Sequence, residues 1–370
     1  MTAGFPNTRN RPPGAALAAL VLLATARLAA AQTAPSASLE ARLDAIVAAA
    51  MAREQAPAMT VAVSSAGRIV YSQAFGTADL ENSVPATRET LIRTASVAKP
   101  IAAVAAMTLV ESGKLDLDAP VQRYCAPFPP KQWPITTREL LSHTSGIRHY
   151  NPGEMDNTRH YRFMADGLAI FAADPLLFKP GTGYQYSTYG YTVAGCVIEG
   201  AAGERFQDYV AAHVLGPAGM THTFVDDAFD IVAHRARGYQ KLDGRIKNAN
   251  LMDSSYKIPG GGYVSTAEDL VRFAQALLDG KLLKPATLAQ MWSATAVSGK
   301  ESYGLGFQVL EGGRFVMHGG GQPGTSTLLL IVPQARCALA IMANLEGTPV
   351  RDLIAPLTAA LQVPSPDPVQ

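Results

Sequence analysis

Strand-like runs crowd the two ends of this 370-residue chain and are scarce between them. Residues 59–63 and 69–75 are rich in β-formers, and Ala66-Gly67 between them reads as a hairpin turn. Strand patterns return near the other end, over 303–310, 314–318, 326–332 and 337–344, with Gly or Pro turns between. Leu39, Leu43, Ile46 and Val47 fall at helical spacing within 38–54, and 353–361 reads as a closing helix. From 114 to about 250 the chain carries many Pro and Gly residues and short helical patterns. The simplest fold that uses both sets of strands is one antiparallel sheet joining the two ends. The sequence therefore predicts an α+β chain, an α/β sandwich. Its sheet is flanked by N- and C-terminal helices, and a mainly helical lobe is inserted at about 100–250. A hydrophobic content of 48% supplies a large core for such a fold.

The first residues read as a leader. Arg9 and Arg11 precede an apolar stretch over 15–26, too short to span a bilayer, and Ala29-Ala30-Ala31 offers a small-residue cleavage site. The expectation is a signal peptide over 1–31, a mature domain over 32–362 and a Pro-rich tail over 363–370. That places the protein in the periplasm or outside the cell, with no integral membrane segment once the leader is gone. Net charge is +1 with no basic block, which excludes nucleic acid as an expected partner and leaves a small molecule or peptide. Cys125, Cys196 and Cys337 lie far apart without a C-x-x-C pair. They argue against a disulfide framework and a zinc site, and buried free thiols are the expected state, with one bridge at most.

Ser96-Val-Ala-Lys99 leads into a long apolar helix over 96–112. Residues three apart then share a helix face, with the serine at the positive end of the helix dipole. A serine hydroxyl needs a base to become a nucleophile, and a lysine serves if burial or a nearby cation lowers its pKa. The same four residues also fit a capped helix start with a solvated lysine. The spacing recurs at Ser254-Ser-Tyr-Lys257, where Pro259 and Gly260-Gly261-Gly262 forbid a continuing helix, so that copy is read as chance. Tyr186-Ser187-Thr188 sits on a loop just before a helix expected to start near Tyr191, and a tyrosine there can shuttle protons if nearby lysines keep its phenol partly ionised. Val316-Met-His318-Gly319-Gly320-Gly321 ends a strand in glycines, which let a substrate backbone approach and leave an edge N–H as an oxyanion donor. His149, Tyr150 and Tyr256 are further candidates for lining a cleft. No G-x-S-x-G, H-E-x-x-H or phosphate-binding glycine loop occurs, and the seven histidines lack metal-ligand spacing, so neither metal nor cofactor is expected.

The order S-x-x-K, Y-x-T, H-G-G, with gaps of about ninety and one hundred and thirty residues, resembles the serine β-lactamase and penicillin-binding-protein-like hydrolases. The likeness is to the branch holding class C β-lactamases, D-alanyl-D-alanine carboxypeptidases and esterases, and it runs from about 39 to 361. Residues 115–124, 145–150 and 186–188 resemble the mitochondrial serine β-lactamase-like proteins and their bacterial relatives. The resemblance implies Ser96 as the acylated nucleophile and Lys99 and Tyr186 as the proton carriers. It implies the N–H groups of Ser96 and Gly321 as an oxyanion hole, with Thr188, His318, Gly319 and Gly320 beside the substrate. Thr188 stands where that pattern has asparagine, and His318 where penicillinases have lysine. Both departures favour peptidase or esterase work over efficient β-lactam turnover. A non-catalytic binding or scaffold protein of the same fold is the alternative.

Overall fold

The computed structural model describes residues 1–4, 38–298 and 301–367. Beyond residues 1–4, the expected leader and its cleavage point lie outside the described residues. Backbone contacts divide the chain into two units, 1–42 and 43–370. In the first, residues 39–42 open helix α1 (Leu39–Glu54). The second holds every strand of the chain's main sheet and the helical lobe.

One nine-stranded antiparallel sheet joins both ends of the chain. Its strands are β1 (Ala58–Ser65), β2 (Arg68–Asp79), β3 (Val84–Pro85), β4 (Ala296–Ser298), β5 (Glu301–Tyr303), β6 (Gln308–Leu310), β7 (Phe315–Gln322), β8 (Thr325–Val332) and β9 (Cys337–Ala343). The order is β3-β2-β1-β9-β8-β7-β6-β5-β4, so the first strands pair with the last through β1 and β9. The β1–β2 turn is Ala66-Gly67, both with positive φ, as a tight hairpin requires.

Side-chain alternation divides the core into two layers. Met59, Val61, Val63, Leu328, Leu330, Leu339 and Ile341 face Leu43 and Val47 of α1 and Leu353 and Leu357 near the C-terminus, the latter in α5 (Ile354–Leu361). Ala62, Leu329, Ile331, Ala338, Ala340 and Met342 face α2 (Ala98–Glu111), α4 (Ala267–Leu278) and the helical lobe. The two layers bear out the expected sandwich. Helix α2 is apolar nearly all round, and such a helix belongs inside. Thr266 caps α4 by accepting from Asp269 N–H.

Several expectations are corrected. The stretch 303–310 is two short strands, because Gly306 turns the chain with φ +86°. Strand β7 does not stop at His318 but runs through the glycines, held by Gly320 and Gly321 pairing with Thr327 and Ser326 of β8. The region read as mainly helical also holds a hairpin, Tyr239–Leu242 with Arg245–Asn248. A small sheet aligns Ile92–Arg93, Tyr263–Ser265 and Phe224–Val225. These strands are too short for a period of two to register. Cys125 and Cys196, read as free thiols, form a disulfide, with Cα atoms 5.3 Å apart. Their separation of 71 residues carries no pairing signal, and only the packing of α3 (Thr188–Ala202) beside the 121–125 turn brings them together. Cys337 is free and buried, as expected. Among the described residues no helix is long and apolar enough to cross a membrane.

Candidate active site

Ser96 lies in a one-turn 3-10 helix, Ala95–Val97, that runs directly into α2. Residue 95 takes φ +45°, a left-handed conformation that costs an alanine about 1 kcal/mol or more. Tertiary bonds hold this turn. Thr325 and Thr327 of β8 donate their hydroxyls to the carbonyls of Arg93 (3.0 Å) and Thr94 (2.7 Å), and Thr94 N–H donates to Tyr263 O (2.8 Å).

Lys99 is buried one turn along, and its Nζ contacts Ser96 Oγ at 3.0 Å, Thr188 Oγ1 at 3.2 Å and the Gly260 carbonyl at 2.8 Å. All three partners are neutral. Burial, and secondly the charge of Lys257, hold its pKa well below the usual amine value. That favours the neutral amine, the form able to take a proton from the serine hydroxyl 3.0 Å away.

Tyr186 ends the loop before α3, whose first helical residue is Thr188 rather than Tyr191. Ser187 caps that helix, accepting from Gly190 N–H (3.0 Å) and donating to Arg148 O (2.7 Å), which ties the loop to the 148–150 segment. The Tyr186 hydroxyl hydrogen-bonds Ser96, and Lys99 Nζ lies 4.7 Å from its ring centre. Burial pushes its phenol above the usual value, so the expected part-ionised phenol is replaced by a neutral one. Thr188 is buried, and its hydroxyl serves Lys99 and Tyr150.

Gly320 packs its backbone against the serine turn. A Cβ there would lie 2.6 Å from Thr94 O and 3.0 Å from Ser96 N. Next to it, Gly321 is exposed and has open space on its side-chain side. His318 is buried, with Nδ1 donating to Gly319 O (2.6 Å) and Nε2 accepting from Tyr303 OH (2.9 Å). Burial first, then Lys99, push its pKa down to about 3, so it is a neutral strut behind Tyr186 rather than a cation.

The Beta-lactamase family profile matches residues 43–363. This chain belongs to that family. It is 31% identical to the human "Serine beta-lactamase-like protein LACTB, mitochondrial", over 75% of this chain and 69% of that protein. Esterase EstB from Burkholderia gladioli is 31% identical over 69% of this chain and 74% of its own. The crystal structure of D-amino acid amidase from Ochrobactrum anthropi SV3 superposes with a TM-score of 0.77 at 25% identity, covering 88% of this chain and 99% of that one. The chain is thus a serine hydrolase of the beta-lactamase fold, as the sequence pattern implied.

Two groups of this beta-lactamase-family site, His143 and Lys257, escaped the sequence reading, and His149 was read only as a lining candidate. His143, at φ +62°, accepts from Ser187 N–H at 3.1 Å and lies 4.3 Å, ring to ring, from Tyr186. His149 accepts from Thr188 N–H (3.2 Å), stacks on Tyr150 and meets Tyr186 edge-on. Burial pushes its pKa down to about 4. The candidate lining residues His149, Tyr150 and Tyr256 are indeed brought together here. Lys257, set aside with the second S-x-x-K, is buried over the rings of Tyr150 and Tyr256 at 5.6 and 5.5 Å. Only its burial could have flagged it, and spacing does not encode burial.

Proposed function

We propose that this serine hydrolase is exported and cleaves amide or ester bonds of small or peptide substrates through an acyl-enzyme on Ser96. D-amino-acid peptides and esters are favoured over β-lactams. The observation that carries the reading is the buried Lys99 amine, 3.0 Å from Ser96 Oγ with no carboxylate among its contacts in the described residues.

In this reading Lys99 accepts the Ser96 proton as the oxygen attacks the substrate carbonyl. The charge that gathers on the carbonyl oxygen is met by the N–H groups of Ser96 and Gly321. Lys99 returns the proton through the neutral Tyr186 phenol to the leaving group. Water then attacks the acyl-serine by the same route in reverse. The raised phenol pKa supports Lys99 as base and Tyr186 as relay. Lys99 and Tyr150 take the Thr188 hydroxyl, and neither it nor neutral His318 supplies the fixed cation or amide that β-lactam recognition uses. The Cys125–Cys196 bridge supports an oxidising compartment and so the exported reading.

A serine-reactive fluorophosphonate tests the nucleophile: the native protein labels and Ser96→Ala does not. Equal labelling of both sinks the assignment. A panel of a β-lactam, a p-nitrophenyl ester and a D-amino-acid amide tests the substrate class. β-Lactam turnover far above the others would overturn the preference.

A further inference from the structure

The second amine of the site meets two aromatic rings and, among the described residues, no acceptor. Lys257 is 2% exposed, and among the described residues no oxygen accepts from its Nζ and no carboxylate pairs with it. The acidic groups in electrical range are engaged elsewhere. Asp226 is bonded by Arg93 at 2.7 Å and approached by Arg235 at 3.7 Å, and Asp156 accepts from Asn250. Of the other titratable groups near it, Arg93 opposes its charge, and Lys99 and His149 are groups whose own charged forms it disfavours. A buried ammonium without an acceptor is costly, and such a group either gives up its proton or is completed by a ligand.

Its position says which ligand. Lys257 stands three residues before Gly260, whose carbonyl holds Lys99. Tyr150, under its ammonium, hydrogen-bonds Thr188, which also touches Lys99. At the far end of the same turn, a Cβ on Gly261 would lie 3.2 Å from the side chain of Gln322, the residue after Gly321. Gln322 Nε2 is itself a buried donor without a partner. Two donors without a protein acceptor, the Lys257 amine and the buried Gln322 Nε2, therefore flank one four-residue turn beside the reactive serine.

We propose that Lys257 selects substrates that carry a carboxylate beside the carbonyl attacked by Ser96. Half-esters of dicarboxylic acids and acidic acyl amides are the chemical class. The proposal rests on the Ser96 reading above, with Lys257 supplying the cation that the neutral, buried His318 does not.

The test compares p-nitrophenyl hydrogen glutarate with p-nitrophenyl pentanoate, which differ only in the terminal carboxylate. The readout is the ratio of their kcat/KM values, in which any general change in reactivity cancels. At pH 6.5, Lys257→Met is expected to lower the glutarate-to-pentanoate ratio by about 10- to 100-fold, the worth of a hydrogen bond to a charged group. A change of less than threefold overturns the proposal, as does an equal fall for both esters. A second readout needs no variant. Burial pushes the Lys257 pKa down to about 7, so the native ratio should fall as pH rises from 6 to 8.5, where glutarate stays ionised. A ratio independent of pH overturns the proposal as well. Ser96→Ala separates the two readings, since p-nitrophenol release that survives it refutes the nucleophile and not the selectivity.

Discussion

Both Ser-x-x-Lys segments bury their lysine, with Lys99 at 0% and Lys257 at 2% exposure. In the first, the 3-10 turn continues into fourteen residues of helix, and the two side chains meet at 3.0 Å. In the second, Lys257 itself leaves helical geometry at φ −135°, and Ser254 Oγ is buried without a partner. Lys99 has three neutral oxygens around it, while Lys257 has two aromatic rings. One spacing thus yields a reactive pair where the helix continues unbroken, and an idle serine and an unpaired lysine where Lys257 interrupts it before the turn Ile258–Gly261.

The largest expected effect breaks the comparison if it fails. Ser96→Ala should lower kcat by about 10⁴-fold or more, because the acyl acceptor is gone. Ser254→Ala should leave kcat within about threefold, with an unchanged or higher melting temperature, because it removes a buried hydroxyl that bonds nothing. Comparable losses in both would mean that the second segment is catalytic too. Next, Lys99→Met should cost about 10²–10⁴-fold on a neutral ester, the usual worth of a general base. Steady-state kinetics on p-nitrophenyl pentanoate measures this, and a loss under tenfold would move the base to another group.

Gly320→Ala should have a smaller effect. Its Cβ would press on Thr94 O and Ser96 N and displace the serine turn, costing about 10–10²-fold in kcat/KM. Circular dichroism melting alongside the kinetics would separate displacement from unfolding, and unchanged kinetics would deny the close approach. The smallest effect sharpens the link between the two lysines. Activity on a neutral ester needs Lys99 deprotonated, so it is lost as pH falls through the depressed Lys99 pKa. Lys257 is a cause of that depression, second to burial. Removing its charge in Lys257→Met raises the Lys99 pKa, and the acid limb of the pH–kcat/KM profile should move to higher pH. A limb that stays in place, or moves down, would show that the two amines are not coupled.

Much of the fold was legible because its signals are local. Near-continuous apolar runs in 59–63, 326–332 and 337–344 mark strands buried on both faces, and the apolar run after Ser96 marks a helix inside the core. The order of Ser96, Lys99, Tyr186 and Gly321 was legible too, since each sits at an element boundary that sequence punctuates: a helix start, a capped loop, a glycine strand. The 303–310 break and the two-residue strands at 92–93 and 224–225 were not, because one left-handed glycine or two residues carry no period.

The sequence by itself determined that a single sheet joins the chain ends and that Ser96 and Lys99 share a helix face, since periodicity and spacing act over a few residues. Only the tertiary structure decided the charge states and the pairings. Burial depends on what packs from elsewhere: the 260–262 turn over Lys99, Tyr150 under Lys257, Tyr303 against His318, and α3 carrying Cys196 to Cys125. Desolvation and proximity are set by neighbours distant in sequence, so a lysine that spacing alone called chance became the most unusual charge in the site.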